Sequence, residues 1–246
     1  MGYGDGFVQR LIGNCGKTDV EDCYASIRHL IDSGIAEEGP GKQFLTGGSH
    51  GGFLVAHRMS FFPLPFLTNI FGVEIMQFFF SFFKVIGRYP DVFSAAVLRN
   101  PVISVGEISS SDIRDWYFSE FGIEYPLSSS SPDIDHTTTP PTTSALPPLV
   151  SPEIYANLLS ASPISHVDSI KIPVLLLVGS ADRRVAPSQG GDFYHALKAR
   201  YASAGNESGN RKVEMLIFEG EGHPLDGVEA SKVSFEVTKK WLVGAG

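Results

Sequence analysis

Gly47-Gly48-Ser49-His50-Gly51 fits the pattern G-x-S-x-G and lies between a short apolar run, "KQFLT", and the helix-like "FLVAH". A serine on so tight a strand-to-helix turn is held at strained backbone angles, with little room for side chains at the flanking positions. The turn exposes the hydroxyl as a nucleophile. It also leaves the N–H of His50 at a helix N-terminus, facing a developing oxyanion. A serine nucleophile needs a base, and the base needs an acid to orient it. Asp182 directly follows "VLLLVGSA" and His223 directly follows "VEMLIFEGEG". Both therefore leave the carboxyl ends of strands, the same sheet edge as Ser49. An inert serine, a turn aspartate and a loop histidine are the bland alternatives, and the joint order and placement weigh against them. The other histidines suit the role less well. His29 and His195 lie on helices, His136 lies in a low-complexity stretch, and His57 ends the helix after Ser49. His50 reads as a pocket wall.

The surrounding elements must bring these positions together. Residues 19–33 have helical spacing, with Val20, Tyr24, Ile27, Leu30 and Ile31 on one face and Gly34 as a stop. Residues 1–18 read as glycine-rich loop. "AAVLRNPV", "PVLLLVGS" and "VEMLIFEG" are apolar runs of strand length. "PSQGGDFYHALKARYA" and "VEASKVSFEVTKKWLV" read as amphipathic helices. Alternating strands and helices indicate α/β architecture with a mostly parallel sheet.

Composition narrows the class. The 246 residues are 43% hydrophobic and 19% charged, ample for a core. A net charge of -8 without a basic run argues against a nucleic-acid surface. Two cysteines, Cys15 and Cys23, are too few for a disulfide framework and suggest a reducing compartment. Without a signal pattern in "MGYGDGFVQR", a soluble cytoplasmic protein is expected. "GNCGKTD" mimics a phosphate loop but has Leu11 where that motif needs glycine. No metal-ligand cluster and no cofactor are read from the sequence.

"GGSHGGF", "AAVLRNPVI", "SSDIRDW", "SPI" and "DRRV" together resemble the prolyl oligopeptidase family of serine peptidases, and within it the acylaminoacyl-peptidase subgroup. The resemblance implies an α/β-hydrolase fold with Ser49 as nucleophile, Asp182 as orienting acid and His223 as base. It implies that Arg184, two residues after the acid, binds a substrate backbone carbonyl; a surface ion pair is the alternative. It further implies a short N-acylated peptide as substrate and association into homo-oligomers. An esterase or lipase-like hydrolase, or a catalytically inactive fragment, remains open. The family's enzymes carry an N-terminal β-propeller and a sheet of about eight strands, whereas four are read here. Residues 1–246 are therefore expected to be an α/β-hydrolase catalytic domain incomplete at its N-terminus. The upstream part would supply a second oxyanion donor, whose loss costs about 10²–10³ in rate. On this reading the chain by itself is poorly active.

Two stretches break the α/β rhythm, at residues 58–84 and 128–149. The second is Ser/Thr/Pro-rich and reads as a surface insertion. The first holds nine of the 18 phenylalanines. A lid is one reading. A membrane segment is another, although Pro63, Pro65, Asn69, Glu74 and Gln77 interrupt it. The favoured reading is a translated intron. Arg58-Met59-Ser60 is encodable with GTATGT, a common splice donor, and Lys84-Val85 supplies an acceptor AG after pyrimidine-rich Phe and Ser codons. Excision of 27 codons leaves the in-frame "VAHLIGRYPDVF", within ordinary connection lengths.

Overall fold

The computed structural model describes residues 4–39, 41–59, 92–110, 120–123, 151–203 and 211–244. Residues 60–84 and 128–149 of the two unusual stretches lie outside them.

Among the described residues, four strands make one sheet: β1 (Phe44–Gly48), β2 (Ala95–Arg99), β3 (Val174–Gly179) and β4 (Val213–Phe218), in the order β1-β2-β3-β4. All neighbours are parallel, with Gly48 paired to Arg99, Arg99 to Leu177 and Gly179 to Phe218. The carboxyl ends thus finish within two residues of one another, and whatever follows them meets along one edge. The central strands are apolar on both faces, as "AAVL" and "VLLLVG" require for a sheet covered twice. The outer strands β1 and β4 are less buried.

Among the described residues, six α-helices accompany the sheet: α1 (Asp5–Gln9), α2 (Thr18–Asp32), α3 (His50–Met59), α4 (Pro152–Ser160), α5 (Pro187–Ser203) and α6 (Val228–Val243). Alternation along the strands decides what each helix touches. Ala96, Leu98, Val174, Leu176 and Val178 share a core with Val55, Ala56 and Met59 of α3 and Phe193 and Leu197 of α5. Val97, Leu175 and Leu177 face the other way, toward Val237, Trp241 and Leu242 of α6. A third cluster, with Cys15, Phe53, Val102, Val105, Leu158 and Val185, joins α3 and α4 to the loops that follow β2 and β3.

The loop reading of residues 1–18 needs correction, because α1 is a five-residue helix inside it. Helix α4 was also unread. Its start is ordinary capping chemistry: Ser151 Oγ accepts the Ile154 N–H at 3.3 Å and Pro152 occupies the first turn. The apolar face of α2 is narrower than its spacing suggests. Val20 is buried, whereas Leu30 is 41% exposed beyond the reach of the core.

Candidate active site

Ser49 lies between β1 and α3 with φ 57°. This left-handed geometry costs an L-residue about 1–2 kcal/mol, so the surroundings must impose it. They do so through both backbone groups. The Ser49 N–H donates to the Arg99 carbonyl at 2.9 Å, while its carbonyl accepts from Phe53 at 3.1 Å and Val102 at 3.3 Å. Close approach explains two glycines. A Cβ on Gly47 would stand 2.2 Å from the Gly51 carbonyl oxygen, and one on Gly52 would stand 2.7 Å from the Pro101 Cβ. Gly51, the motif's last glycine, faces open space. His50 opens α3, so its N–H is among the first-turn amides with no acceptor inside the helix.

Asp182 and His223 come together at the ends of β3 and β4. The His223 Nδ1–H donates to Asp182 Oδ2 at 2.7 Å, and the aspartate side chain is fully buried. Asp182 Oδ1 accepts the N–H groups of Arg184 at 2.8 Å and Val185 at 3.0 Å. Burial alone would raise this carboxyl; the hydrogen bonds from His223, Val185 and Arg184 outweigh it and hold it below the usual carboxylate range. The carboxylate fixes the ring and its tautomer, which leaves Nε2 as the lone-pair nitrogen. The Arg184 side chain is exposed on the same loop.

Asn100 ties the pieces together, and the sequence reading passed over it. It directly follows β2, is 3% exposed, and has φ 40°. Its Oδ1 accepts the Gly179 N–H at 2.8 Å. Its Nδ2 donates to the His223 carbonyl at 2.9 Å and the Gly222 carbonyl at 3.4 Å. The residue before it, Arg99, holds the Ser49 N–H. One position thus spans the serine turn and the histidine loop. That loop also needs Gly179, where a Cβ would stand 2.6 Å from the Glu221 carbonyl oxygen. Among the described residues, the non-glycine positions with positive φ are Ser49, Asn100 and Leu225. All three follow carboxyl ends of strands, where strain and function commonly coincide. An asparagine after an apolar run, in "VLRNP", is the sequence signal for such a position.

A second group meets beside the turn. His50 Nε2 lies 3.0 Å from Asp19 Oδ2, and the Cys15 Sγ–H donates to the same oxygen at 3.7 Å. The His50 ring stacks on Phe53 at 5.1 Å. Burial raises the Asp19 carboxyl, but the His50 hydrogen bond and charge leave it below its ordinary range. Burial, then the charges of Asp19 and Glu120, push the Cys15 thiol up. His57, deeper in α3, is 1% exposed, and its Nε2–H donates to the Ala161 carbonyl at 3.1 Å. Burial brings its pKa down to about 4. Neither Cys15 nor Cys23 is in a disulfide. Among the described residues no helix is long and apolar enough to cross a membrane.

The prolyl oligopeptidase family matches residues 80–245, a span that includes Asp182 and His223. The chain is 32% identical over 244 residues to the acylamino-acid-releasing enzyme of Arabidopsis thaliana, covering 98% of this chain and 24% of that protein. It is 32% identical over 242 residues to the rat (Rattus norvegicus) enzyme of the same name, covering 98% and 25%. It therefore spans about a quarter of the length of these relatives. Among solved structures it resembles the Pyrococcus horikoshii acylaminoacyl peptidase, with TM-score 0.57, 20% identity, and coverage of 90% of this chain and 26% of that one. It also resembles a Mycobacterium tuberculosis puromycin-hydrolyzing peptidase, with TM-score 0.61, 23% identity, and coverage of 100% and 28%. The fold is that of the α/β-hydrolases, and the chain belongs to the prolyl oligopeptidase family.

Proposed function

We propose that the protein is the catalytic part of a serine peptidase that releases N-acylated amino acids from short peptides. The observation that carries this reading is the Asp182–His223 hydrogen bond on the sheet edge that also bears the strained Ser49 turn. In this account His223 Nε2 takes the Ser49 proton as Oγ attacks the scissile carbonyl. The His50 N–H stabilises the oxyanion at the N-terminus of α3. His223 then protonates the leaving amine, and water releases the acylated amino acid from Ser49 by the same steps in reverse roles. Asp182 keeps the imidazole oriented and stabilises its charged form. Arg184, exposed beside the acid, offers a planar guanidinium to a substrate backbone carbonyl. The choice of N-acylated peptides rests on the names of the relatives from Arabidopsis and rat. A cytoplasmic setting is part of this reading, from the low cysteine count.

Serine hydrolases of this type also cleave esters, so substrate comparison is the test. The expected result is faster turnover of acetyl-alanine anilide than of alanine anilide with a free amine, lost in Ser49→Ala and His223→Ala. Turnover of simple nitrophenyl esters alone would replace the peptidase reading with an esterase. Turnover that survives both substitutions would remove the triad.

A further inference from the structure

"GNCGKTD", rejected above as a phosphate loop, folds against the serine turn and carries Cys15 and Asp19 to His50. Cys15 Sγ, Asp19 Oδ2 and His50 Nε2 all lie within 4.8 Å of one another. The sequence hides this group because His50 comes from 31 residues beyond Asp19, on a different element. We propose that Cys15, Asp19 and His50 form a binding site for a borderline-soft divalent cation of the zinc class.

The distances suit such an ion. Zinc bonds of about 2.3 Å to sulfur and about 2.0–2.2 Å to nitrogen or oxygen place tetrahedral ligands about 3.3–3.6 Å apart. Two of the pairs stand 3.7 Å and 3.0 Å apart and all three ligand atoms lie within 4.8 Å of one another, so shifts of up to about 1 Å bring them to that spacing. A thiolate, an imidazole and carboxylates select zinc or cobalt over magnesium or calcium, which prefer oxygen alone.

Glu120 is the independent observation. Its Oε2 is buried without a hydrogen-bond partner among the described residues. It lies against the loop that carries Cys15. Its backbone is fixed there, since the Gly13 N–H donates to the Glu120 carbonyl at 2.9 Å. A buried, unpaired carboxylate oxygen is costly, and a cation held nearby would offset its charge. Cys15 is 4% exposed and the Asp19 side chain 12%, whereas the His50 side chain is 35% exposed and leaves an entry path. On binding, the Cys15 thiol proton leaves to solvent. The imidazole ligates through Nε2 and keeps its remaining proton on Nδ1. The ion would tie the loop before α2 to the first turn of α3, one residue from Ser49.

Cobalt titration of the full chain under a non-thiol reductant tests the site without reference to turnover. The expected result is one Co²⁺ per chain, with tetrahedral visible bands and a thiolate-to-cobalt charge-transfer band, displaced by Zn²⁺. Cys15→Ser should abolish the charge-transfer band. Cys15→Ser and Asp19→Asn should each weaken binding by more than the roughly 10–100-fold typical of a lost outer-shell partner, and Cys23→Ser should leave it unchanged. Circular dichroism of each variant reports its fold. If Cys15→Ser fails to fold, the wild-type band together with Asp19→Asn decides. Absence of a charge-transfer band in the wild type, or equal binding by the wild type and a folded Cys15→Ser, overturns the proposal.

Discussion

Removing the Asn100 carboxamide should loosen the histidine loop and the sheet edge together. In Asn100→Ala the Gly179 N–H loses its 2.8 Å acceptor and stays buried, which costs about 1–3 kcal/mol. The 2.9 Å bond to the His223 carbonyl also goes, worth about 0.5–1.5 kcal/mol. Alanine at φ 40° adds about 1 kcal/mol of backbone strain that asparagine tolerates better. The total is about 2.5–5.5 kcal/mol, a large share of the 5–15 kcal/mol that holds a domain together. Asn100→Gly should keep the backbone and lose only the bonds, about 1.5–4.5 kcal/mol. Asn100→Asp should retain the acceptor for Gly179 and lose the donor to the loop. Urea denaturation gives the stability changes. Reaction with a fluorophosphonate gives the effect on His223, because a base displaced by 1 Å costs about 10²-fold in rate. The ordering expected is wild type, then Asn100→Asp and Asn100→Gly, then Asn100→Ala. A loss below 1 kcal/mol in Asn100→Ala, with labelling within about threefold of wild type, would refute the clamp.

The two glycines of the G-x-S-x-G pattern should part company. Gly47→Ala drives a Cβ to 2.2 Å from a backbone oxygen and should destabilise by more than about 3 kcal/mol, whereas Gly51→Ala meets nothing and should gain about 0.5–1 kcal/mol as a better helix former; urea midpoints distinguish them. His57 binds a proton more weakly folded, at about 4, than unfolded, near 6.5. Its contribution is therefore complete above pH 6.5 and lost as pH falls toward 4, by about 3 kcal/mol at most, and His57→Gln should flatten that slope in denaturation measured across the range. Arg184→Ala should reduce cleavage of an acylated peptide far more than cleavage of a small nitrophenyl ester; equal loss on both would make it a structural residue.

The strands were legible because β2 and β3 are apolar throughout and bounded by turns, so length and composition sufficed. The serine turn was legible because few other contexts crowd glycine around a serine between strand and helix. Asp182 and His223 were legible from their place after apolar runs, which the parallel sheet converts into proximity. Asn100 was missed because its role lies in a left-handed backbone and three bonds to distant loops, none of which local sequence encodes. The grouping of Cys15, Asp19 and His50 was missed for a similar reason: it arises only through the packing of α2 and its preceding loop on α3. Helix α1 was missed because five residues beginning "DGF" carry too little periodicity to be recognised.

The account rests on Ser49 being a nucleophile activated by His223, and fluorophosphonate labelling followed by peptide mapping measures that directly. One adduct per chain, on Ser49, is the expected result, with no labelling in Ser49→Ala and a rate lowered by at least about 10³-fold in His223→Ala. An adduct at another residue, or a labelling rate indifferent to His223→Ala, would contradict it.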